Sequence, residues 1–305
     1  MTANAVRLLI CLAAVVATGA LSADARAHVM AFQPFHWQVG SLGGLPPAPL
    51  ALLVPVKLGE RACDMQLDTG ASAAVIWHTA PEQDEPRRPL KLRLGELETE
   101  LEVGSATQRS IDECVSGSPV GTLGNAFFER GTLTLDVAHQ RLAWQAGSTL
   151  DNQPRARRFF YAAPALQEGW IQAGGHIFIE LDVQQAGKGY GMLDTGAASA
   201  EIGVMDAPWW AQLTGSAAMQ GPHITNFTMP SWGRSLACAS APTVAAVSID
   251  GFGPLVRRAT YCPTLGFQPT IRVIGLVGLA PFMHSVLTID YPGRRWMVEA
   301  AAPSP

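Results

Sequence analysis

The feature that most constrains this chain is a repetition. Met65–Trp77 reads MQLDTGASAAVIW, and Gly191–Gly203 reads GMLDTGAASAEIG. Each copy is an apolar run into Asp-Thr-Gly, then small residues, then a second apolar run. The approach to each is also the same. ALLVPVKL (51–58) alternates, GER turns the chain, and ACDMQL returns into Asp68; HIFIELDV (176–183) alternates, QQAGKG turns, and YGML returns into Asp194. Two-residue alternation broken by a short polar or Gly-containing turn predicts a β-hairpin. Asp and Gly are ordinary turn residues, so a single copy would carry little information. Two copies at the same place in the same unit predict a duplicated half.

A second marker follows each copy. LGNAFFERGTLTLDVAHQRLAW (123–144) and VGLAPFMHSVLTIDYPGRRWMV (277–298) align without gaps at seven identities in 22 positions, including Gly124/Gly278, Thr134/Thr288 and Asp136/Asp290. The offset between copies grows from 126 to 154, so the second half holds 28 extra residues between its markers. Two copies of such a unit mean a duplicated lobe, not a solenoid. Strands dominate both halves, with short helices expected at GNAFFERG, at GLAPFMHS and from APWWAQL, where Pro208 suits a first helical turn. The segment Ala146–Trp170, with Pro154 and Arg155, Arg157 and Arg158, reads as a connection between the halves. The organisation expected is a signal peptide at 1–27, an N-terminal segment at 28–45, a first lobe at 46–147, a linker at 148–172, a second lobe at 173–300 and a tail at 301–305.

Composition narrows the class. The 305 residues are 48% hydrophobic and 15% charged, enough for a sizeable core. The net charge of −4 and the lack of a basic patch argue against nucleic acid as a partner. Arg7, the apolar run Leu8–Leu21 and Ala25-Arg26-Ala27 form a secretory signal peptide, shorter than a membrane span. The chain is therefore expected to be exported, periplasmic or secreted, with no stable membrane insertion once the signal is removed. Of five cysteines, Cys11 lies in that signal, leaving Cys63, Cys114, Cys238 and Cys262. An even number in an exported chain predicts two disulfides, with three possible connectivities; pairing within each half is the simplest. The seven histidines are scattered without metal spacing, and no Gly-rich phosphate loop is present, so no metal and no cofactor are expected.

Two carboxylates brought face to face by a duplication cannot both ionise easily. One stays charged, the other keeps a proton, and the pair holds one proton between them. The charged acid can take a proton from a water, and the protonated acid can donate to a carbonyl oxygen, so water attacks an amide without a covalent intermediate. Aspartic proteases are the standard example of such a pair.

The chain resembles the pepsin/retropepsin-like aspartic proteases of the bilobal, single-chain kind. The matching residues are Gln66-Leu67-Asp68-Thr69-Gly70-Ala71 and Met192-Leu193-Asp194-Thr195-Gly196-Ala197, with Thr122-Leu123-Gly124 and Leu276-Val277-Gly278 downstream. The resemblance covers roughly residues 50–145 and 175–298. It implies an all-β fold of two pseudo-twofold-related, β-barrel-like lobes, and a monomer acting on polypeptide. It implies that Asp68 and Asp194 are the catalytic pair. Thr69 and Thr195 would bond across the axis, and Gly70 and Gly196 would let the loops turn tightly and aim N–H groups at the carboxylates. Leu123-Gly124 and Val277-Gly278 would pack behind the loops.

There are two departures from the pattern. Ala71 and Ala197 stand where pepsin-like members carry Ser or Thr, as in retroviral enzymes. Without a hydroxyl donor the pair should titrate higher, with an optimum nearer neutral than pepsin's. No aromatic residue lies between His78 and Cys114 to serve as the tip of a flap over the cleft. KLRLGELETELEV is expected to form a small hairpin with Gly95 at its tip, and GPHITNFTMPSWGRS, with Phe227 and Trp232, is a second candidate cover. Trp209-Trp210 reads as packing more than as a pocket. Asp136 and Asp290, each before a turn, read as structural. The missing aromatic keeps a second function open, a non-catalytic peptide- or protein-binding module on the same fold.

Overall fold

The computed structural model describes residues 31–43, 45–79, 85–162, 174–231, 234–263 and 273–303. The expected signal peptide, Trp232 and residues 163–172 of the expected linker lie outside them. The fold is all-β and bilobal, and both lobes are built on one plan. In the first, the hairpin Ala48–Leu58 and Arg61–Leu67 runs into Asp68. Arg61–Leu67 then pairs in parallel with Pro119–Leu123, ending Leu67 opposite Leu123. The short strand Val75–Trp77 lies antiparallel on the other side of Pro119–Leu123. The second lobe repeats this with His176–Val183 and Gly187–Leu193, Val273–Val277 and Ile202–Val204, ending Leu193 opposite Val277. Apolar side chains alternate inward along these strands: Val54, Val56 and Leu58 are buried while Pro55 and Lys57 are exposed.

The lobes meet in a shared six-stranded sheet whose central pair is Gly131–Asp136 and Ser285–Asp290, one strand from each lobe. Their register places Thr134 opposite Thr288 and Leu135 opposite Leu287. The gapless repeat aligns Thr134 with Thr288, and its neighbours pair crosswise about that position, so a pseudo-twofold axis passes through Thr134 and Thr288. Arg141–Ala146 and Arg295–Ala300 flank it, and Gln33–Pro34 and Arg157–Arg158 form the outer edges. Asp136 and Asp290 hold turns as expected. Asp136 accepts from the His139 ring and Arg141, and Asp290 accepts from Gly293 N–H at 2.8 Å and Leu150 N–H at 2.8 Å.

The lobes differ where their lengths differ. In the second, His176–Val183 also pairs with Arg234–Ile249, which closes the sheet on itself. The added length forms the helix Ala207–Thr214 and the long hairpin Thr225–Ser231 with Arg234–Ile249. That helix starts as its sequence predicts: the Asp206 side chain accepts from Trp209 N–H at 2.8 Å, and Gly215 ends it in the left-handed region at φ 70°. Trp209 and Trp210 are buried, so packing is their structural role. Asn125–Phe128 forms a short helix and Ala280–Phe282 a 3-10 turn, at the matched places expected. The helix Ser105–Asp112 is not evident in the sequence. Its start is capped from a distance by Glu85, which accepts from Ser105 N–H at 2.7 Å.

The disulfides are Cys63–Cys114 and Cys238–Cys262, one in each lobe, the simplest of the three connectivities. The first anchors the strand that delivers Asp68. The second joins Arg234–Ile249 to the residue just past the neighbouring strand Phe252–Tyr261.

Candidate active site

The two Asp-Thr-Gly loops come together on the pseudo-twofold axis. Each aspartate leaves the end of its strand with its N–H donating to the downstream strand: Asp68 to Leu123 O at 2.9 Å, and Asp194 to Val277 O at 2.9 Å. Both loops then turn back on themselves, Ala71 N–H reaching Asp68 O at 3.1 Å and Ala197 N–H reaching Asp194 O at 3.2 Å.

The threonines lock the loops to one another. Thr69 and Thr195 are buried; each N–H donates to the other's hydroxyl, and Thr69 Oγ1 donates to Leu193 O at 2.8 Å while Thr195 Oγ1 donates to Leu67 O at 3.0 Å. All four bonds cross between lobes, so neither loop moves without the other.

The glycines are needed for a second reason besides the tight turn and the N–H groups expected of them. Neither Gly70 nor Gly196 has φ in the left-handed region. What a side chain would violate is the opposite carboxyl: a Cβ on Gly70 would lie 2.7 Å from Asp194 Cγ, and one on Gly196 would lie 2.5 Å from Asp68 Cγ. Their N–H groups do reach the carboxylates, with Gly70 donating to Asp68 Oδ1 at 2.7 Å. Gly124 and Gly278 sit behind the loops as expected, where a Cβ would meet Ala71 O at 2.6 Å and Ala197 O at 2.2 Å. Leu123 and Val277 beside them are fully buried.

The carboxyls are bonded to each other and partly open to solvent. Burial raises both above the ordinary carboxylate range. Asp194 goes well above it, because the Asp68 charge and the hydrogen bond to Asp68 add to burial. Asp68 rises less, since the bond from Asp194 and N–H groups of Gly70, Gly196 and Ala71 favour its charged form. The two therefore share one proton and titrate as one unit, both raised and Asp194 the further.

The flap expectations need correction. The hairpin Arg88–Leu94 and Leu97–Val103 forms with Gly95 in its turn at φ 58°. Yet it joins the sheet beside Lys57 and Leu58, at the end of the strand farthest from Asp68, and Gly95 packs against the Gln33 side chain. Its apolar face, Leu90, Leu92 and Leu94, is committed to the core, so it is a structural hairpin. Phe227 packs against the Cys238–Cys262 disulfide, so packing is its role too.

Two residues near the loops escaped the sequence reading. Asn125 is fully buried and donates from Nδ2 to Thr69 O at 2.6 Å, and it accepts at Oδ1 from the Tyr291 hydroxyl at 2.8 Å. The signal was in the repeat: Asn125 aligns with Leu279 and Tyr291 with Val137, a polar group in one half where the other is apolar. Among the described residues, no group of three or more His, Cys, Asp or Glu side chains gathers in a metal-binding arrangement, and no helix is long and apolar enough to cross a membrane.

No family model matches the chain, and no curated protein sequence matches it. Among solved structures the chain is similar to the aspartic proteinase from Irpex lacteus, at 9% identity and a TM-score of 0.43, over 89% of this chain and 97% of that one.

Proposed function

We propose that the protein is an exported aspartic endopeptidase. Asp68, the charged member, takes a proton from a water held between the carboxyls. Asp194, the protonated member, donates to the scissile carbonyl as water adds to the amide carbon. The C–N bond then breaks as the proton taken by Asp68 passes to the departing amine and Asp194 recovers its own from the collapsing adduct, with no covalent enzyme intermediate. Thr69 and Thr195 keep the carboxyls in register, and Ala71 and Ala197 leave them without an added hydroxyl donor. The observation that supports this most is the pairing itself: two mutually bonded carboxyls, from equivalent strand ends, both raised above the ordinary carboxylate range so that they share a proton. The substrate class is an extended polypeptide, the natural fit to a site between two lobes.

The test is hydrolysis of a diverse peptide library between pH 3 and 8 by wild type, Asp68→Asn and Asp194→Asn. Wild-type cleavage that both substitutions abolish, with folding intact, supports the proposal. Full activity in either variant removes the mechanism. The position of the Gly95 hairpin, away from Asp68, favours a second reading, a binding module on the same fold. Peptide binding without cleavage by the wild type would select it.

A further inference from the structure

The proposed chemistry requires two unlike carboxyls, whereas duplication supplies two like loops. We propose that Asn125 is the positioning residue that breaks this equivalence, by setting the peptide plane that aims the Gly70 N–H at Asp68. The proposal rests on reading Asp68 and Asp194 as an acid–base pair.

The Thr69 carbonyl and the Gly70 N–H belong to one planar peptide unit, on opposite sides of it. Asn125 Nδ2 donates to that carbonyl at 2.6 Å, and the N–H on the far side donates to Asp68 Oδ1 at 2.7 Å. Holding one end of the plane fixes the other. A donor on the carbonyl also polarises the amide and strengthens its N–H as a donor, the cooperativity of a hydrogen-bonded chain. The backbone N–H of Asn125 grips the same loop again at Ala71 O, at 2.9 Å. A carboxylate that receives short, fixed N–H bonds is held in its charged form. In the second half the aligned residue is Leu279, whose side chain has no polar atom to place on the Thr195 carbonyl. There Ala197 N–H donates to Asp194 Oδ1 at 3.2 Å and the Gly196 N–H adds to it, with no side-chain donor of residue 279 behind that peptide.

The amide of Asn125 is itself oriented. Tyr291 is fully buried and donates its hydroxyl to Oδ1, which turns the NH2 group toward Thr69 O and toward Gly175 O, at 2.8 Å from the latter. Tyr291 follows Asp290 in the shared sheet, and Gly175 opens the second lobe, so Asn125 ties the Asp68 loop to both. The titratable and charged groups around Tyr291 are Tyr161, Glu129 and Arg294. Tyr161 donates to Glu129, and the Arg294 guanidinium lies 4.2 Å from the Tyr161 ring centre.

The test compares wild type with Asn125→Leu, which gives the first half the residue of the second, and with Tyr291→Phe, which removes only the hydroxyl. Kinetics on a peptide that the wild type cleaves are read with carboxyl ¹³C titrations of Asp68 and Asp194. Asn125→Leu is expected to lower kcat by about tenfold to a hundredfold with KM within about twofold. The acidic limb of the pH profile and the first carboxyl titration step should rise by about one pH unit. Tyr291→Phe should move all three in the same direction by less, and it carries the test if Asn125→Leu does not fold. A variant that loses thermal stability but keeps kcat, pH profile and titration steps would overturn the proposal and leave Asn125 a packing residue. If the wild type cleaves nothing, the protease reading fails by itself, and the carboxyl titrations still decide whether Asn125 sets the asymmetry.

Discussion

Thr69 and Thr195 hold each other by the same bonds in reverse: N–H to hydroxyl at 2.9 Å one way and 3.0 Å the other, with each hydroxyl donating onward to the opposite lobe's strand. Replacing either by Val keeps the shape and removes the hydroxyl, leaving a buried N–H and a buried carbonyl in the opposite lobe unpaired. Thr69→Val and Thr195→Val should each cost about 2–4 kcal/mol in urea unfolding. The double variant should cost about the sum, because each hydroxyl serves its own N–H and its own carbonyl and the two sets share no group.

The charge state of the pair predicts a stability slope. Asp194 is raised well above the usual carboxylate range by burial and by the Asp68 charge. A raised carboxylic acid means that the folded state holds its proton more tightly than the unfolded state does. Its contribution is therefore complete below the ordinary carboxylate range and is lost as pH rises toward the folded value. Asp194→Asn should flatten this slope, gaining on the wild type in thermal stability from pH 4 toward neutral. A parallel pair of Tm-against-pH curves would refute the assignment of the proton to Asp194.

Ala71 is buried beside the charged member of the pair. Ala71→Ser adds one oxygen and a donor that favours the ionised form. The acidic limb of the activity profile should move down by about 0.5–1 pH unit. An unchanged profile would mean that the absent hydroxyl does not set the optimum.

Cys63–Cys114 spans 51 residues and Cys238–Cys262 spans 24. The chain-entropy model gives about 4 and about 3.5 kcal/mol for their removal. The Cys63→Ala/Cys114→Ala pair should also lower activity, because Cys63 lies on the strand that delivers Asp68. The Cys238→Ala/Cys262→Ala pair should cost stability alone. Denaturation and kinetics on both double variants separate the two effects.

Asp250, in the turn between Arg234–Ile249 and Phe252–Tyr261, accepts from the Trp296 indole N–H and so joins the second lobe to the shared sheet. Burial pushes its carboxyl up to about 6, against a donor bond from Trp296 that lowers it. Stability carried by the protonated form is present below about pH 4 and declines as pH rises through about 6. Allowing for its partial exposure, the decline is on the order of 1–2 kcal/mol. Asp250→Asn should remove it, as read by unfolding at pH 4 and pH 7.

Local patterns made much of this protein legible. Period-two alternation into Asp68 and Asp194 announced the two hairpins, and the matched Gly124 and Gly278 announced what lies behind each loop. The start of Ala207–Thr214 was visible because Pro208 acts within the first helical turn. The start of Ser105–Asp112 was not, because its cap is Glu85, about twenty residues upstream. Gly95 gave its turn away by chemistry, but nothing in KLRLGELETELEV tells which end of a neighbouring strand it joins. That is decided by register against Lys57 and Leu58, a pairing between distant segments.

The sequence by itself determined that this chain is a duplicated β protein with one Asp-Thr-Gly loop per half, because both signals are local and each occurs twice. The aligned halves already differ at Asn125 against Leu279 and Tyr291 against Val137, but only the tertiary structure brings that difference to one loop. Asn125 and Tyr291 lie 166 residues apart, and each is unremarked in its own surroundings. Only their burial side by side, where an unpaired amide or hydroxyl would be costly, turns two ordinary polar residues into a support for one aspartate and not the other.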